Sequence, residues 1–239
     1  MSEPLILHIE TATDICSVAL SEGARQRALV ESGPERSHAT LLNSYIRKTL
    51  EQDGKQFPDI DAVAVSKGPG SYTGLRIGVS TAKGIAYALG IPMLSAGTLD
   101  NMAYGALLHP SLQDALRERN HRILLCPMLD ARRMEVYSCF LTPDLTVHRP
   151  VSADIITAES YRDLLDRYQI YFFGNGSDKC REELEHPNAR FIGGIHPSAG
   201  QMIRPVLDRY RKGQFEDVAY FEPFYLKDFI ATTPRKKLL

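Results

Sequence analysis

Residues 61–89 read DAVAVSKGPGSYTGLRIGVSTAKGIAYAL, and the order of patterns in this stretch decides the fold. DAVAVS, residues 61–66, is a compact run of small and β-branched residues that suits a buried strand. Residues 67–74 form a glycine-rich loop around one proline. Residues 75–89 then predict a helix, stopped by Gly90 and Pro92. Strand, tight loop and helix in that order are a unit of an α/β protein.

On the N-terminal side lie LILHIE (5–10), ICSVALS (15–21) and ARQRALVE (24–31), three β-favouring runs separated by short turns such as Ser21-Glu22-Gly23. They predict an antiparallel meander. From Ser37, a candidate N-cap, Leu41, Leu42, Tyr45, Ile46 and Leu50 recur at helical spacing until Gly54. On the C-terminal side a strand is expected at 91–95 and a helical stretch at 98–119.

The same order then appears again. Strands are expected at 122–129, 134–141 and 146–151, a helix at 159–168, a strand at 170–173, a helix at 177–185, a strand at 190–193 and a last helix at 198–212. Pro205 inside that last helix should kink or restart it. Two copies of a βββαβαβα order, offset by about 120 residues, predict duplicated α/β lobes with a cleft between them. The expected order resembles the plan of the actin-like ATPase (ASKHA, ribonuclease H-like) architecture, shared with sugar kinases. The expected lobes are 1–100 and 101–218, with a tail, 219–239, packing back on the first.

A chain of 239 residues that is 44% hydrophobic can bury a large core. Lys and Arg number 28 against 29 Asp and Glu, so no global field draws the chain to nucleic acid or an anionic membrane. Cys16, Cys126, Cys139 and Cys180 form no CxxC pair and no zinc-like cluster, which fits structural thiols in a reducing compartment. With neither a signal-like N-terminus nor an apolar span, a cytoplasmic location is expected.

The 67–74 loop invites a phosphate-binding interpretation, since it combines glycines with a helix N-terminus. It is not a Walker A loop, because Gly74 is followed by Leu75 rather than Lys. A sharp strand-to-helix turn explains the same residues. Gly74, Gly78, Ala82 and Ala86 fall four apart on the following helix, a smooth stripe suited either to the core or to an approaching helix.

GPGSYTGLRIGVSTAKGIA resembles the hallmark run of the TsaB (YeaZ) family, GPGSFTGLRIG, with Tyr72 in place of Phe. Three other segments agree in order: ILHIETAT at 6–13, RSHATLL at 36–42 and DARRMEVY at 130–137. The ending is also similar, with PFYLKDF at 223–229 and TTPRK at 232–236. The resemblance implies a non-catalytic scaffold in the synthesis of threonylcarbamoyladenosine in tRNA. Such a subunit pairs through first-lobe helices with TsaD, which transfers threonylcarbamoyl to N6 of adenosine 37, and the ATPase TsaE joins them. Transfer RNA is then met only through the complex, and a homodimer is an option when the partner is absent. The residues expected to dock are His38, Leu41, Leu42 and Tyr45 on the first helix and Leu75, Arg76, Gly78, Val79 and Ala82 on the second.

Resident chemistry is a weaker expectation. Glu10 and Asp130 end corresponding strands, where active relatives of this fold hold a hydrated Mg²⁺ under nucleotide phosphates. Here they stand in Glu-Thr-Ala-Thr and Asp-Ala-Arg-Arg rather than Asp-x-Gly-Thr. Arg132 and Arg133 suit an anion, or else solvent and a pairing with Glu135. Gly174-Asn175-Gly176 suits adenine packing, or a plain turn. No His-x-x-x-His pair occurs; His8 fits a core strand, His38 a helix start, and His109, His121, His148, His186 and His196 fit loops. Gly70-Ser71 lacks the GxSxG of a serine hydrolase. No cofactor or metal is therefore expected. The rival readings are an active ATP-dependent enzyme of the same fold, and a tRNA-binding module using the basic residues Arg235, Lys236 and Lys237.

Overall fold

The computed structural model describes residues 3–33, 38–118 and 122–227. Ser37 as N-cap, His121, and everything from Asp228 onward, including Arg235, Lys236 and Lys237, lie outside the described residues.

The first sheet contains β1 (Leu5–Glu10), β2 (Ser17–Glu22), β3 (Arg25–Glu31), β4 (Ala62–Ser66) and β5 (Met93–Ala96) in the order β3-β2-β1-β4-β5. β1, β2 and β3 pair antiparallel, while β1–β4 and β4–β5 pair parallel. The second sheet contains β6 (Ile123–Asp130), β7 (Glu135–Leu141), β8 (Val147–Ile155), β9 (Gln169–Phe173) and β10 (Ala189–Ile192) in the order β10-β9-β6-β7-β8. Renumbered from its own first strand, the second sheet has the order of the first, so the duplicated strand topology is explicit, although a 3₁₀ turn stands between β9 and β10 where a helix was expected.

Both faces of the inner strands β1, β4, β6 and β9 are buried, which is why they carry apolar residues at odd and even positions alike, whereas the edge strands β3 and β8 are exposed or half-buried over most of their length. Leu7, Ile9, Val18, Val63 and Val65 pack under α1 (His38–Gln52) and α2 (Tyr72–Leu89). Ile6, Ala19, Ala64 and Leu94 face the other way, onto Ala199, Met202 and Val206. Those last three belong to the 3₁₀ segment Ala199–Met202 and to α6 (Ile203–Arg211). α6 was expected in the second lobe, yet it packs on the first sheet. Conversely α3 (Thr98–Ala106) and α4 (Pro110–Glu118) bury Leu99, Met102, Ala106 and Leu112 against the second sheet. Taken as copies of the βββαβαβα repeat rather than as the lobes 1–100 and 101–218, each copy thus places its last helix on the other copy's sheet. Gly105 of α3 lies so close to Gln201 that a Cβ would stand 2.5 Å from its Nε2.

Several helices are shorter than periodicity suggests. The stretch 98–119 is two helices, because Pro110 cannot continue α3 and instead opens α4. Of 159–168 only α5 (Arg162–Leu165) is helical. Tyr161 takes φ 62° there, packing its ring against Phe140 and donating its hydroxyl to Asp154 at 2.8 Å. In 177–185 the chain makes only the 3₁₀ turn Asp178–Cys180, tightened by Ser177 Oγ donating to Gly174 O at 2.8 Å. Pro205 falls in the first turn of α6, where a missing N–H costs little, so it restarts the helix after the 3₁₀ segment.

Candidate functional site

The two strand ends considered for a hydrated Mg²⁺, at Glu10 and Asp130, are occupied by the chain itself. Glu10 is fully buried: its Oε1 accepts from Ser66 Oγ at 2.6 Å and from Ala12 N at 2.7 Å. Burial raises its carboxyl to about 7, against the lowering pull of those hydrogen bonds. Thr98 Oγ1, buried in the first turn of α3, has no partner, and the Asn101 amide, buried in the same turn, faces the Glu10 carboxyl without a well-formed hydrogen bond and adds to the lowering pull. Asp130 is engaged differently. Its carboxylate accepts from Lys179 Nζ and from Arg132 N, while its own N–H donates to Asn175 Oδ1 at 3.0 Å.

A hydrated Mg²⁺ beneath a nucleotide does not fit this pair, since one carboxyl is sealed from solvent and the other is neutralised by a lysine. Among the described residues no three His, Cys, Asp or Glu side chains gather into a metal-binding group. The four cysteines are buried and unpaired. His8 is buried in β1 with Nε2 2.9 Å from Ser21 Oγ.

The glycines of both loops are filled by their own chain. A Cβ would lie 2.3 Å from Ala12 O at Gly70, 2.1 Å from Thr11 O at Gly74, and 2.3 Å from Met128 O at Gly174. At Gly176 it would lie 2.8 Å from the Leu129 carbonyl carbon. Ser71 N donates to Ala12 O at 2.7 Å and Thr11 Oγ1 to Gly74 O at 2.9 Å. The 67–74 segment is therefore a close-packed corner that aims α2. Ser71 caps that helix, which begins at Tyr72, three residues before the predicted start, and Gly90 at φ 65° ends it.

α1 and α2 lie side by side over the first sheet. Leu42, Leu75, Gly78, Val79 and Ala82, expected to dock, face inward and are buried in the chain's own core. Gly78 is pressed on Thr11, whose Oγ1 a Cβ would approach to 2.3 Å. His38 is also buried, its Nε2 donating to Thr13 O at 2.5 Å. These positions share the inward phase of their helices, so the stripe serves the sheet. Of the expected set, Leu41 and Tyr45 are partly exposed and Arg76 is exposed. The opposite phase of α2 presents Ile77 and Ile85, partly exposed, with Ser80, Gly84, Tyr87 and Ala88 exposed. Ser80, Gly84 and Ala88 form a second small-residue row, legible in the sequence from the same four-residue spacing. Space beside Gly84 is open to 4 Å around an added Cβ.

On its other flank α2 meets residues 216–227. Glu216 accepts from Ser95 Oγ at 2.5 Å and from Arg209 Nη2 at 3.0 Å. Lys83 Nζ donates to Ala219 O and Phe221 O, and Phe224 N donates to Lys67 O at 2.7 Å. Tyr225 packs on Tyr72 with ring centroids 4.9 Å apart, and Lys227 reaches Glu135 of the second sheet. The segment is a strap running from the edge of the first sheet across to the second. A hollow of about 570 Å³ lies elsewhere, beyond the end of α1 between Arg47 and Pro58. No helix among the described residues is long and apolar enough to cross a membrane.

A family model described as TsaD, tRNA N6-adenosine threonylcarbamoyltransferase, matches residues 32–232. The tRNA threonylcarbamoyladenosine biosynthesis protein TsaB of Escherichia coli (strain K12) is 37% identical over 232 residues, covering 95% of this chain and 96% of that protein. A tRNA N6-adenosine threonylcarbamoyltransferase of Ruegeria sp. (strain TM1040) is 36% identical over 107 residues, 43% of this chain and 28% of that protein. Among solved structures, YeaZ from Pseudomonas aeruginosa superposes with a TM-score of 0.72 at 23% identity, over 93% of this chain and 100% of that one.

Proposed function

The chain belongs to the TsaB (YeaZ) family of tRNA threonylcarbamoyladenosine biosynthesis proteins, within the wider family matched by the TsaD model, and from that premise we propose that it is the non-catalytic docking subunit for TsaD. The observation that carries the proposal is the outer face of α1 and α2. Leu41, Tyr45, Ile77 and Ile85 form a partly exposed apolar seam beside the small residues Ser80, Gly84 and Ala88. A low ridge flanked by apolar side chains lets a second helix pair approach closely.

The partner's chemistry follows from kinship. The TsaD model spans most of this chain, so the two proteins share a plan, and related lobes can dock through equivalent faces about a pseudo-twofold axis. The same face would pair two copies of this chain when TsaD is absent. TsaE joins the pair, and the transfer chemistry resides in TsaD. The sealed Glu10 and lysine-bound Asp130 support assigning no catalysis to this chain.

Size-exclusion chromatography with light scattering on this chain, TsaD and equimolar mixtures tests the proposal. The mixture should elute as a heteromeric complex at the expense of any homodimer. Separate elution at micromolar concentration would refute it.

A further inference from the structure

The turn between β6 and β7 is built at a cost that the docking face does not explain. Arg132 and Arg133 are consecutive left-handed residues, with φ of 72° and 50°. Side chains with a Cβ are strained there, where glycine would not be. Hydrogen bonds hold the turn from several sides. Arg132 N donates to Asp130 Oδ1 at 2.9 Å, Ala131 N to Glu135 O at 3.1 Å and Glu135 N to Arg132 O at 3.1 Å. Lys179 Nζ donates to Arg133 O and Glu135 O, each at 2.6 Å.

The pairing of these arginines with Glu135 that the sequence suggested does not occur. Lys227 takes the Glu135 carboxylate and Lys179 takes that of Asp130. Both arginines are exposed, and among the described residues neither forms an ion pair. Four cations thus meet two carboxylates on a chain whose formal net charge is -1. The surplus positive charge is local, and the two lysines have already neutralised the acids that would otherwise mask it.

We propose that this turn contacts the phosphodiester backbone of RNA. Guanidinium groups match phosphate oxygens as planar, bidentate donors. Two exposed guanidinium groups on consecutive residues of one turn can engage two phosphates, one each. A nucleoside triphosphate fits less well, because its metal would need a free carboxylate and neither Glu10 nor Asp130 is free. RNA is the polyanion at hand for a family that acts in tRNA modification. The contact rests on that membership and not on the docking face, so the two can fail separately.

The test is fluorescence anisotropy of a labelled, unmodified tRNA transcript titrated with the full chain across a salt series. Arg132→Gly with Arg133→Gly removes both charges and relieves the left-handed strain, so the variant should melt no lower than the parent. Its affinity should fall about tenfold at low salt, and the slope of log K against log salt should drop by about 1.5, the loss of two phosphate contacts. Arg47→Ala with Lys48→Ala, removing two exposed cations from α1, should change neither. An unchanged affinity and slope in the glycine variant would overturn the proposal. So would equal losses in the α1 variant, or displacement of RNA by polyglutamate or Mg-ATP at equal charge concentration.

Discussion

Glu10 on β1 and Asp130 on β6 hold the same station in the two lobes, each accepting a hydrogen bond from the backbone N–H two residues on, at 2.7 Å from Ala12 and 2.9 Å from Arg132. Duplication preserved that local geometry and divergence separated the environments. Glu10 is sealed beneath α3, while Asp130 stays half-exposed against Lys179.

The Glu10 environment predicts a pH-dependent stability. Its carboxyl is raised from 4.5 to about 7 by burial, so its contribution is fully present below about pH 4.5 and is lost as pH rises through 7. The loss integrates to about 3 kcal/mol for a shift of this size. Glu10→Gln keeps an acceptor for Ser66 and Ala12 without the charge. Urea denaturation should show the variant gaining on the parent as pH rises from 5 toward 8, about pH 8 being where the difference saturates. Parallel curves at every pH would contradict this.

Gly78 should behave as a core residue. Gly78→Val forces a Cβ into Thr11 Oγ1, 2.3 Å away, and overpacking of this kind costs about 1–3 kcal/mol or more. The expected result is a lower melting temperature for the isolated chain. A variant that melts like the parent would place Gly78 outside the core.

The strap should depend on Glu216. Glu216→Ala leaves the buried Ser95 hydroxyl and one face of Arg209 without a partner, a loss of about 1–3 kcal/mol. Limited proteolysis should then cut within 214–227 faster than in the parent. Equal cleavage rates would show that the strap is held by Lys83 and Phe224 instead.

The sheets were legible because short β-favouring runs bounded by turn residues are local signals, and LILHIE and DAVAVS fall on β1 and β4 almost to the residue. Helix lengths in the second lobe were less legible. Tyr161 at φ 62° obeys an aromatic contact with Phe140 that no local pattern encodes. The docking residues show the same limit. Spacing located one small-residue row on α2, Gly74 to Ala86, but could not say whether it faces the sheet, and Gly78 and Ala82, expected to dock, lie in the core while the row Ser80, Gly84 and Ala88 went unread. The exchange of α3 and α6 between the two copies of the repeat is likewise a tertiary fact. Neither helix carries a local mark of which sheet it will cover.

The most direct test of the account is calorimetric titration of TsaD into the full chain and its Gly84→Arg variant. Gly84 is exposed, with open space where a side chain would grow, so the substitution should leave the melting temperature of the isolated chain unchanged or slightly raised. Placed on the outer row of α2, the arginine should weaken TsaD binding at least tenfold. Undiminished affinity in a folded Gly84→Arg variant would contradict the claim that TsaD docks on this face.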